Sequence, residues 1–285
     1  MGYKKKLHII MPGGGVKGCF QAGFLYYLLK FHSDKLELSR VDGTSVGALN
    51  GYCICSNSNI DVLKNVWFSI NTIDDIFTLH SKLPILKNIM QGYCTLQNNG
   101  IFSSEKLKNI IDSNGIKNFH LLKNFNCTAV NVENGKCEYI NGTDPKINEY
   151  VLASSSPWII TQPVKVNNTI YCDGGLVDTY PIKYFKPKEF DYVIILGYDK
   201  NHHNMMVNRG DCNSILNYLN GIIDVCRSYS VNMRKVKQYK KLNINNVIFI
   251  DNPIHCGLIE FDKKIIREGF FSGIIAAIKF VHKYL

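Results

Sequence analysis

Apolar positions along the chain follow two alternating patterns: short runs that are mostly apolar, and longer segments with helical spacing. Residues 7–11 form such a short run and end before a cluster of glycines, which predicts a buried parallel strand. Four aromatic residues then recur at helical spacing, which predicts a helix over residues 16–31. The same criteria predict strands at 36–42, 125–131, 136–140, 170–172, 192–196 and 247–250, and helices at 46–55, 61–70, 105–111, 211–239 and 265–284.

The alternation of strands and helices predicts the fold class. Parallel strands joined by helices need helical layers on both faces of the sheet. We therefore expect an α/β protein, a single three-layer α/β/α domain over residues 1–285 with a mainly parallel central sheet. No internal repeat or low-complexity linker divides the chain. Residues 71–100 and 199–209 are the irregular parts, and either is a candidate cover over a site.

A cluster of glycines lies between the first predicted strand and the first predicted helix, at Gly13, Gly14, Gly15 and Gly18. Glycines let backbone N–H groups approach a ligand closely, and a helix N-terminus favours negative charge. Two interpretations are open at this point. The cluster either donates hydrogen bonds to the oxyanion of an acyl-transfer reaction or binds a dinucleotide, with Asp42 at the spacing of a ribose-binding acid.

A G-x-S-x-G motif follows directly after Asp42, at a predicted strand-to-helix turn. It comprises Gly43, Ser45 and Gly47 with one residue between each pair. Small flanking residues permit the strained turn that projects a nucleophilic serine from a sheet. The motif also arises by chance, but its position between a strand and a helix favours Ser45 as a nucleophile. The N–H of Val46, just after the serine, is then a further oxyanion donor.

Asp173, Gly174 and Gly175 supply a carboxylate at the end of a short predicted strand. A neutral serine hydroxyl attacks poorly, so it needs a base. A carboxylate is a weak base near neutral pH and must accept the proton inside a partly desolvated site. Because an aspartate before glycines is also common in ordinary turns, the role of Asp173 as base depends on the serine motif.

The order of these motifs over residues 7–181 resembles the patatin-like phospholipase family. Further matching pieces are Ala-Ser-Ser-Ser-Pro at 153–157, Gln-Pro-Val at 162–164 and the segment 171–178 around the aspartate. Residues 182–285 do not resemble the family closely enough for its functional residues to be assigned to positions there. We expect them to complete the sheet and its helical layers.

The resemblance implies an enzyme that hydrolyses lipid esters, of the phospholipase A or lysophospholipase type. It assigns the oxyanion hole to Gly14 and Gly15, the nucleophile to Ser45 and the base to Asp173. It also implies a Ser-Asp dyad without catalytic histidine, and no metal or cofactor for the chemistry. One departure is Pro12, where many members carry Asp. The alternatives are an esterase or thioesterase on other acyl chains, and a non-catalytic phosphate-, dinucleotide- or lipid-binding protein.

Histidine is the main challenge to a dyad, because in hydrolases of Ser-Asp-His order a histidine follows the aspartate. Four histidines follow Asp173: His202, His203, His255 and His282. His202 and His203 lie in a polar segment, and His282 lies in the last predicted helix. His255 is therefore the best triad candidate.

The basic charge of the chain fits either a solvated basic surface or attraction to an anionic partner. Lys and Arg outnumber Asp and Glu by 33 to 23, a formal net charge of +10, with dense runs at residues 4–6 and 234–241. No zinc-finger, RNP or helix-turn-helix signature indicates nucleic acid. We therefore expect an anionic phospholipid or membrane surface as the partner. Lys17, beside the glycines, is either a ligand of a phosphate head group or a solvated side chain.

Cysteine usage and hydropathy predict where the protein works. The ten cysteines are scattered with no C-x-x-C pair, and there is no secretory signal, which together indicate a reducing compartment. No apolar run approaches the roughly 18 residues that a membrane span requires. We therefore expect a cytoplasmic protein that binds membranes peripherally.

Overall fold

A computed structural model describes residues 3–79, 100–114, 122–158, 160–198 and 232–285. The strands are β1 (Lys5–Met11), β2 (Leu36–Thr44), β3 (Thr78–Leu79), β4 (Phe102–Ser103), β5 (Phe125–Asn131), β6 (Lys136–Asn141), β7 (Val164–Val166), β8 (Thr169–Asp173), β9 (Tyr192–Tyr198) and β10 (Val247–Asp251). The helices are α1 (Gly18–His32), α2 (Val46–Ser56), α3 (Asp61–Ser69), α4 (Glu105–Asn114), α5 (Ile147–Ser154), α6 (Met233–Leu242) and α7 (Lys263–Tyr284).

A mainly parallel sheet forms the centre of the molecule. Within the described residues it has eight strands, in the order β10-β9-β1-β2-β5-β8-β7, and β6 pairs with β5. The five strands from β10 to β5 run parallel to one another. The pairings of β5 with β6 and β8, and of β7 with β8, are antiparallel. This topology confirms the predicted α/β class.

Helices cover both faces of the sheet because its strands are apolar on both sides. Successive side chains of a strand point to opposite faces. Ile9 of β1 packs in the core that contains residues of α1, α2, α3 and α7. Ile10, the next residue, packs with Met233 and Val236 of α6 in a second core. The helices α6 and α7 therefore lie on opposite faces of the sheet.

The last helix, α7, packs closely against α1 because glycines remove side chains at their crossing. A Cβ on Gly23 would lie 1.8 Å from the carbonyl oxygen of Phe270, and one on Gly273 would lie 2.1 Å from that of Phe20. Such distances are far below van der Waals contact. One side of α7 is consequently fixed in the core, and its other side faces away from α1.

Most predicted elements are confirmed, with ends shifted by a few residues. The predicted strand at 170–172 is Thr169–Asp173, and the predicted last helix begins at Lys263 rather than at residue 265. The side chain of Asp262 explains this earlier start, because it accepts hydrogen bonds from the N–H groups of Lys264 and Ile265. The short elements α5 and β7 are absent from the prediction, since eight and three residues give too little periodicity.

Part of the prediction falls outside the described residues. Of the predicted helix at 211–239, the structure describes only the end, which lies in α6. The irregular segment at 199–209 lies outside, as do residues 80–99 of the other irregular segment. In the remainder of that segment, Ile73–Asp75 form one 3-10 turn. Among the described helices, none has the length and apolar character needed to cross a membrane.

Candidate active site

Ser45 lies on a strained turn between β2 and α2, at the carboxyl edge of the sheet. Its backbone angles are φ 55° and ψ −126°, a conformation that residues other than glycine rarely adopt. Neither flanking glycine has room for a Cβ. A Cβ on Gly43 would lie 2.4 Å from the carbonyl oxygen of Gly47, and one on Gly47 would lie 2.3 Å from that of Met11. The predicted serine elbow is therefore present.

Three consecutive serines at the end of α5 hold the turn and the neighbouring aspartate. The N–H of Ser45 donates to Ser154 Oγ at 2.9 Å, and Ser155 Oγ donates to the carbonyl oxygen of Ser45 at 3.2 Å. The N–H of Asp173 donates to the carbonyl oxygen of Ser156 at 3.0 Å. The sequence offered this segment only as part of a family resemblance. Its positioning role requires the tertiary structure.

Strand β5 lies between β2 and β8 and aligns the residues next to the serine and the aspartate with adjacent residues of its own. It pairs with β2 on a register that aligns Thr44 with Thr128, and with β8 on a register that aligns Ala129 with Asp173. The Oγ1 atoms of Thr44 and Thr128 are 2.7 Å apart and hydrogen-bonded. Ser45 and Asp173 therefore extend from neighbouring positions, although 128 residues separate them in the chain.

The two side chains are in direct contact. Ser45 Oγ donates to Asp173 Oδ2 at 2.7 Å, and Asp173 Oδ1 accepts from the N–H of Gly175 at 2.7 Å. Asp173 is only 6% exposed. A Cβ on Gly174 would lie 2.3 Å from Thr128 Oγ1, so the carboxylate loop needs this glycine to reach the sheet. A buried carboxylate in contact with a serine hydroxyl can accept its proton.

The glycine loop after β1 lies against the serine elbow. A Cβ on Gly13 would lie 3.0 Å from Ser45 Cβ. Gly15 has φ +54°, and a Cβ there would lie 1.9 Å from the carbonyl oxygen of Leu258. In the described part of the chain, the N–H groups of Gly14 and Gly15 have no acceptor. Both glycines line the same pocket as Ser45, so their N–H groups are available to a ligand there.

The N-termini of two helices meet beside this loop. Val46 is the first residue of α2, so its N–H has no partner within the helix. A Cβ on Gly18, the first residue of α1, would lie 2.2 Å from Val46 Cγ2. The glycine thus permits the two helices to start side by side. Positive ends of two helix dipoles favour negative charge in this region.

A buried polar network, which the sequence analysis did not identify, fixes the glycine loop. Asn50 Nδ2 donates to the carbonyl oxygen of Gly18 at 3.0 Å, and Gln21 Nε2 donates to that of Pro12 at 2.8 Å. Trp67 Nε1 in turn donates to Asn50 Oδ1 at 2.9 Å. These amides are buried and lie on separate helices. Sequence periodicity carries no signal for such contacts.

An apolar pocket of about 150 Å³ opens onto the serine and the aspartate. Gly14, Gly15, Ser45, Asp173 and Gly175 line it. The rest of its wall is almost entirely apolar and includes Leu49, Leu63, Trp67, Ile76, Leu107 and Phe261. Such a lining fits a hydrocarbon chain next to a polar reacting group.

The two triad candidates within the described residues, His255 and His282, do not join this site. His255 is exposed and does not line the pocket, and His282 is exposed on α7. His202 and His203 lie outside the described residues. Ser45 Oγ instead donates a hydrogen bond directly to the carboxylate of Asp173. Within the described ranges, no group of three or more potential metal-binding side chains occurs.

Asp42, the acid of the dinucleotide interpretation, has other partners. It is fully buried, and its Oδ2 lies 2.7 Å from His8 Nε2 and accepts from Arg40 Nε at 2.8 Å. Its Oδ1 accepts from Asn126 Nδ2 at 2.9 Å. The geometry therefore argues against a ribose-binding role. Lys17 is only 4% exposed, so its interpretation as a solvated side chain is wrong.

A second carboxylate of the same segment is buried beneath the elbow. Thr44 Oγ1 donates to the carbonyl oxygen of Asp178 at 3.3 Å. The Asp178 side chain accepts from Tyr139 Oη and Asn232 Nδ2. Burial raises the pKa of Asp178 to about 6, against an ordinary value of 3.8. The charged form of this carboxyl is therefore costly in the folded protein.

A mainly parallel sheet, a strained serine elbow and an adjoining aspartate after β8 together define an α/β protein of the patatin type. Residues 9–186, more than half of the chain, match the family model described as patatin-like phospholipase. The chain belongs to the patatin-like phospholipase family.

Two known proteins resemble the chain over most of its length. The "Probable lipid hydrolase 463L" of Invertebrate iridescent virus 6 is 26% identical over 263 residues, which cover 86% of this chain and 78% of the viral protein. The crystal structure of VipD from Legionella pneumophila matches 99% of this chain and 68% of that one, with 13% identity and a TM-score of 0.49.

Proposed function

We propose that the protein is a serine-dependent lipid acyl hydrolase in which Ser45 is the nucleophile and Asp173 is the general base. The observation that carries this proposal is the 2.7 Å hydrogen bond from Ser45 Oγ to Asp173 Oδ2 beside an apolar pocket. Membership of the patatin-like phospholipase family and similarity to a viral protein named as a lipid hydrolase support it.

The reaction follows from these contacts in two steps. Asp173 accepts the hydroxyl proton while Ser45 Oγ attacks the ester carbonyl carbon. The N–H groups of Gly14, Gly15 and Val46 stabilise the resulting oxyanion. The intermediate then expels the alcohol, which takes the proton from Asp173, and leaves an acyl group on Ser45. In the second step Asp173 accepts a proton from a water molecule as the water attacks the acyl carbon. It returns this proton to Ser45 Oγ when the bond from Oγ to the acyl carbon breaks and the fatty acid leaves.

The apolar lining of the pocket favours substrates with long acyl chains. Its wall beyond the dyad consists mostly of apolar side chains of α2, α3 and α4, among them Leu63, Trp67 and Leu107. An acyl chain placed there gains by leaving water, whereas a charged head group does not. We therefore propose phospholipase A or lysophospholipase activity. An esterase or thioesterase on other acyl chains is the second candidate, because the same pocket accepts any such chain.

An anionic phospholipid or membrane surface is the proposed partner. The net charge of +10 favours such a surface over a neutral one. Each of the basic runs at residues 4–6 and 234–241 contains a lysine that lies close to a carboxylate. Lys5 Nζ lies 3.9 Å from a carboxylate oxygen of Asp191, and Lys240 Nζ lies 3.3 Å from one of Asp251. Neither run alone identifies the docking surface.

Labelling with a fluorophosphonate tests the nucleophile. The wild-type protein should form one covalent adduct, which mass spectrometry of peptides locates at Ser45. Ser45→Ala should not be labelled, whereas Ser113→Ala, which changes an exposed serine of α4, should be labelled as the wild type is. Labelling of Ser45→Ala at another serine, with the protein folded, contradicts the assignment.

Product analysis tests the substrate class. Phospholipase A activity on phosphatidylcholine releases one fatty acid and one lysophospholipid per turnover, and the positional isomer identifies the ester cleaved. Hydrolysis of acyl-CoA with no activity on any phospholipid would instead favour the thioesterase. A protein that binds lipid but is neither labelled nor active would be a non-catalytic lipid-binding module.

A further inference from the structure

The outer face of α7 exposes three large apolar side chains. Phe271 is 54% exposed, Ile275 53% and Ile278 45%. Their spacing of four and three residues places them on one side of the helix. The other side, which includes Phe270 and Ala277, is buried. Single exposed apolar side chains are ordinary on proteins, but three on one helical stripe form a continuous apolar patch.

Basic side chains border this patch at both ends. Lys264 and Arg267 lie in the turns before it, and Lys279 and Lys283 lie after it; all four are exposed. Glu268 is the acidic side chain within the same stretch, and it lies 4.0 Å from Lys264 Nζ. An apolar centre with basic margins is the pattern of a helix that lies in the interface of an anionic bilayer.

The outer face of α7 continues to the wall of the active-site pocket. Its first apolar residue, Phe271, contacts Phe68 of α3, with ring centres 6.3 Å apart. The Arg267 guanidinium lies 5.6 Å from the centre of the Phe68 ring. The neighbouring residues Trp67 and Ile70 line the pocket. A bilayer on the outer face of α7 would therefore lie beside α3, the helix that contributes Trp67 to the pocket wall.

We propose that the outer face of α7 is the docking surface for an anionic lipid bilayer. Phe271, Ile275 and Ile278 enter the interface, while the basic margins contact lipid phosphates. The basic run in α6 lies on the opposite face of the sheet, so a flat bilayer on the outer face of α7 does not contact the outer face of α6. The link to catalysis rests on the proposed function, but the docking itself does not require hydrolysis.

Vesicle binding by the 285-residue chain with Ser45→Ala tests the docking without turnover. Sedimentation would use phosphatidylcholine vesicles with and without one quarter phosphatidylglycerol, at low and high salt. Burying the exposed half of a large apolar side chain favours binding about fivefold to tenfold. We therefore expect the double substitution Phe271→Ser and Ile275→Ser to weaken binding about thirtyfold. Lys264→Gln with Lys279→Gln should weaken binding at low salt and change little at high salt.

Two matched controls lie on α6. Leu242→Ser removes a side chain that is 68% exposed, and Lys235→Gln with Lys241→Gln removes two exposed charges from the basic run. Both should bind vesicles within about twofold of the parent. In otherwise wild-type protein, the α7 double variant should lose hydrolysis of vesicle lipid and keep hydrolysis of a short soluble ester. Absence of both activities in the wild-type protein would contradict the proposed function, but it would leave the vesicle-binding test of the docking surface unaffected.

Three outcomes would overturn the docking surface. The first is equal vesicle binding by the α7 double variant and its parent. The second is equal binding to neutral and anionic vesicles at low salt. The third is that the wild-type protein is a dimer that does not bind vesicles, and that the α7 substitutions convert it to a monomer. The outer face of α7 would then join two copies of the chain. As a check that does not depend on removing contacts, Ile275→Trp fluorescence should be quenched by brominated lipid, and Leu242→Trp fluorescence should not.

Discussion

Replacing Asp173 with Asn removes the proton acceptor that lies 2.7 Å from Ser45 Oγ and leaves the shape of the side chain almost unchanged. The amide oxygen of Asn can still accept the hydrogen bond that Oδ1 takes from the N–H of Gly175 at 2.7 Å. The amide cannot take the serine proton. With the carboxylate only 6% exposed, bulk water has little access to replace it as base.

The expected loss follows from the size of general base catalysis. A positioned base contributes about 10²–10⁴-fold to the rate, and a dyad has no second base to compensate. We therefore expect Asp173→Asn to lower kcat by about 10³-fold or more, with a smaller change in KM. Because the serine needs the same base to attack a phosphonate, covalent labelling should slow by a similar factor.

A short soluble chromogenic ester is the right assay, because its hydrolysis does not depend on membrane binding. Thermal unfolding would establish that each variant is folded. His202→Ala, His203→Ala, His255→Ala and His282→Ala should each keep kcat within about threefold. The dyad would be refuted if folded Asp173→Asn kept a tenth of the wild-type kcat. It would equally be refuted if folded His255→Ala were as inactive as Ser45→Ala, because a triad histidine would itself be the base.

Three further predictions concern the glycine loop, the buried carboxyl and metals. Gly15→Ala should destabilise the protein by more than about 2 kcal/mol, because positive φ costs about 1–2 kcal/mol and its Cβ would also meet the Leu258 carbonyl at 1.9 Å. Gly135→Ala is the control, since Gly135 has φ +67° but a Cβ there would meet no atom beyond its chain neighbours within 4 Å. Urea unfolding of this variant should therefore show the conformational cost alone. In the folded protein, burial raises the pKa of Asp178 from 3.8 to about 6. The protonated carboxyl therefore contributes its whole stabilisation of the fold below about pH 3.8, and this stabilisation is lost as the pH rises through 6. The free energy of unfolding of the wild type relative to Asp178→Asn should therefore fall by about 3 kcal/mol over that range, and a flat difference would contradict a buried, costly charge. Hydrolysis of the soluble ester should survive EDTA because N–H donors stabilise the oxyanion, whereas a strict metal requirement for that substrate would oppose the mechanism.

The sequence by itself determined the elements whose signals are local. Continuous apolar runs identified strands such as β1 and β9, because a strand buried on both faces needs no polar positions. The glycines around Ser45 predicted the elbow, because only glycine, which has no Cβ, fits where a Cβ would lie within 2.4 Å of a backbone atom. The order of three short motifs then predicted the family. Each single motif lies within a few neighbouring residues.

Tertiary structure decided what depends on residues far apart in the chain. The register of β5 with β2 and β8 sets the 2.7 Å contact of Ser45 with Asp173, and these pairings join strands that are distant in the chain. The same holds for the serines of α5 that hold the elbow, and for Asp42, whose buried partners include His8. Periodicity likewise predicts that α7 is a helix but not which of its apolar residues will be covered. That depends on where α1 packs, because burial results from the approach of a second surface.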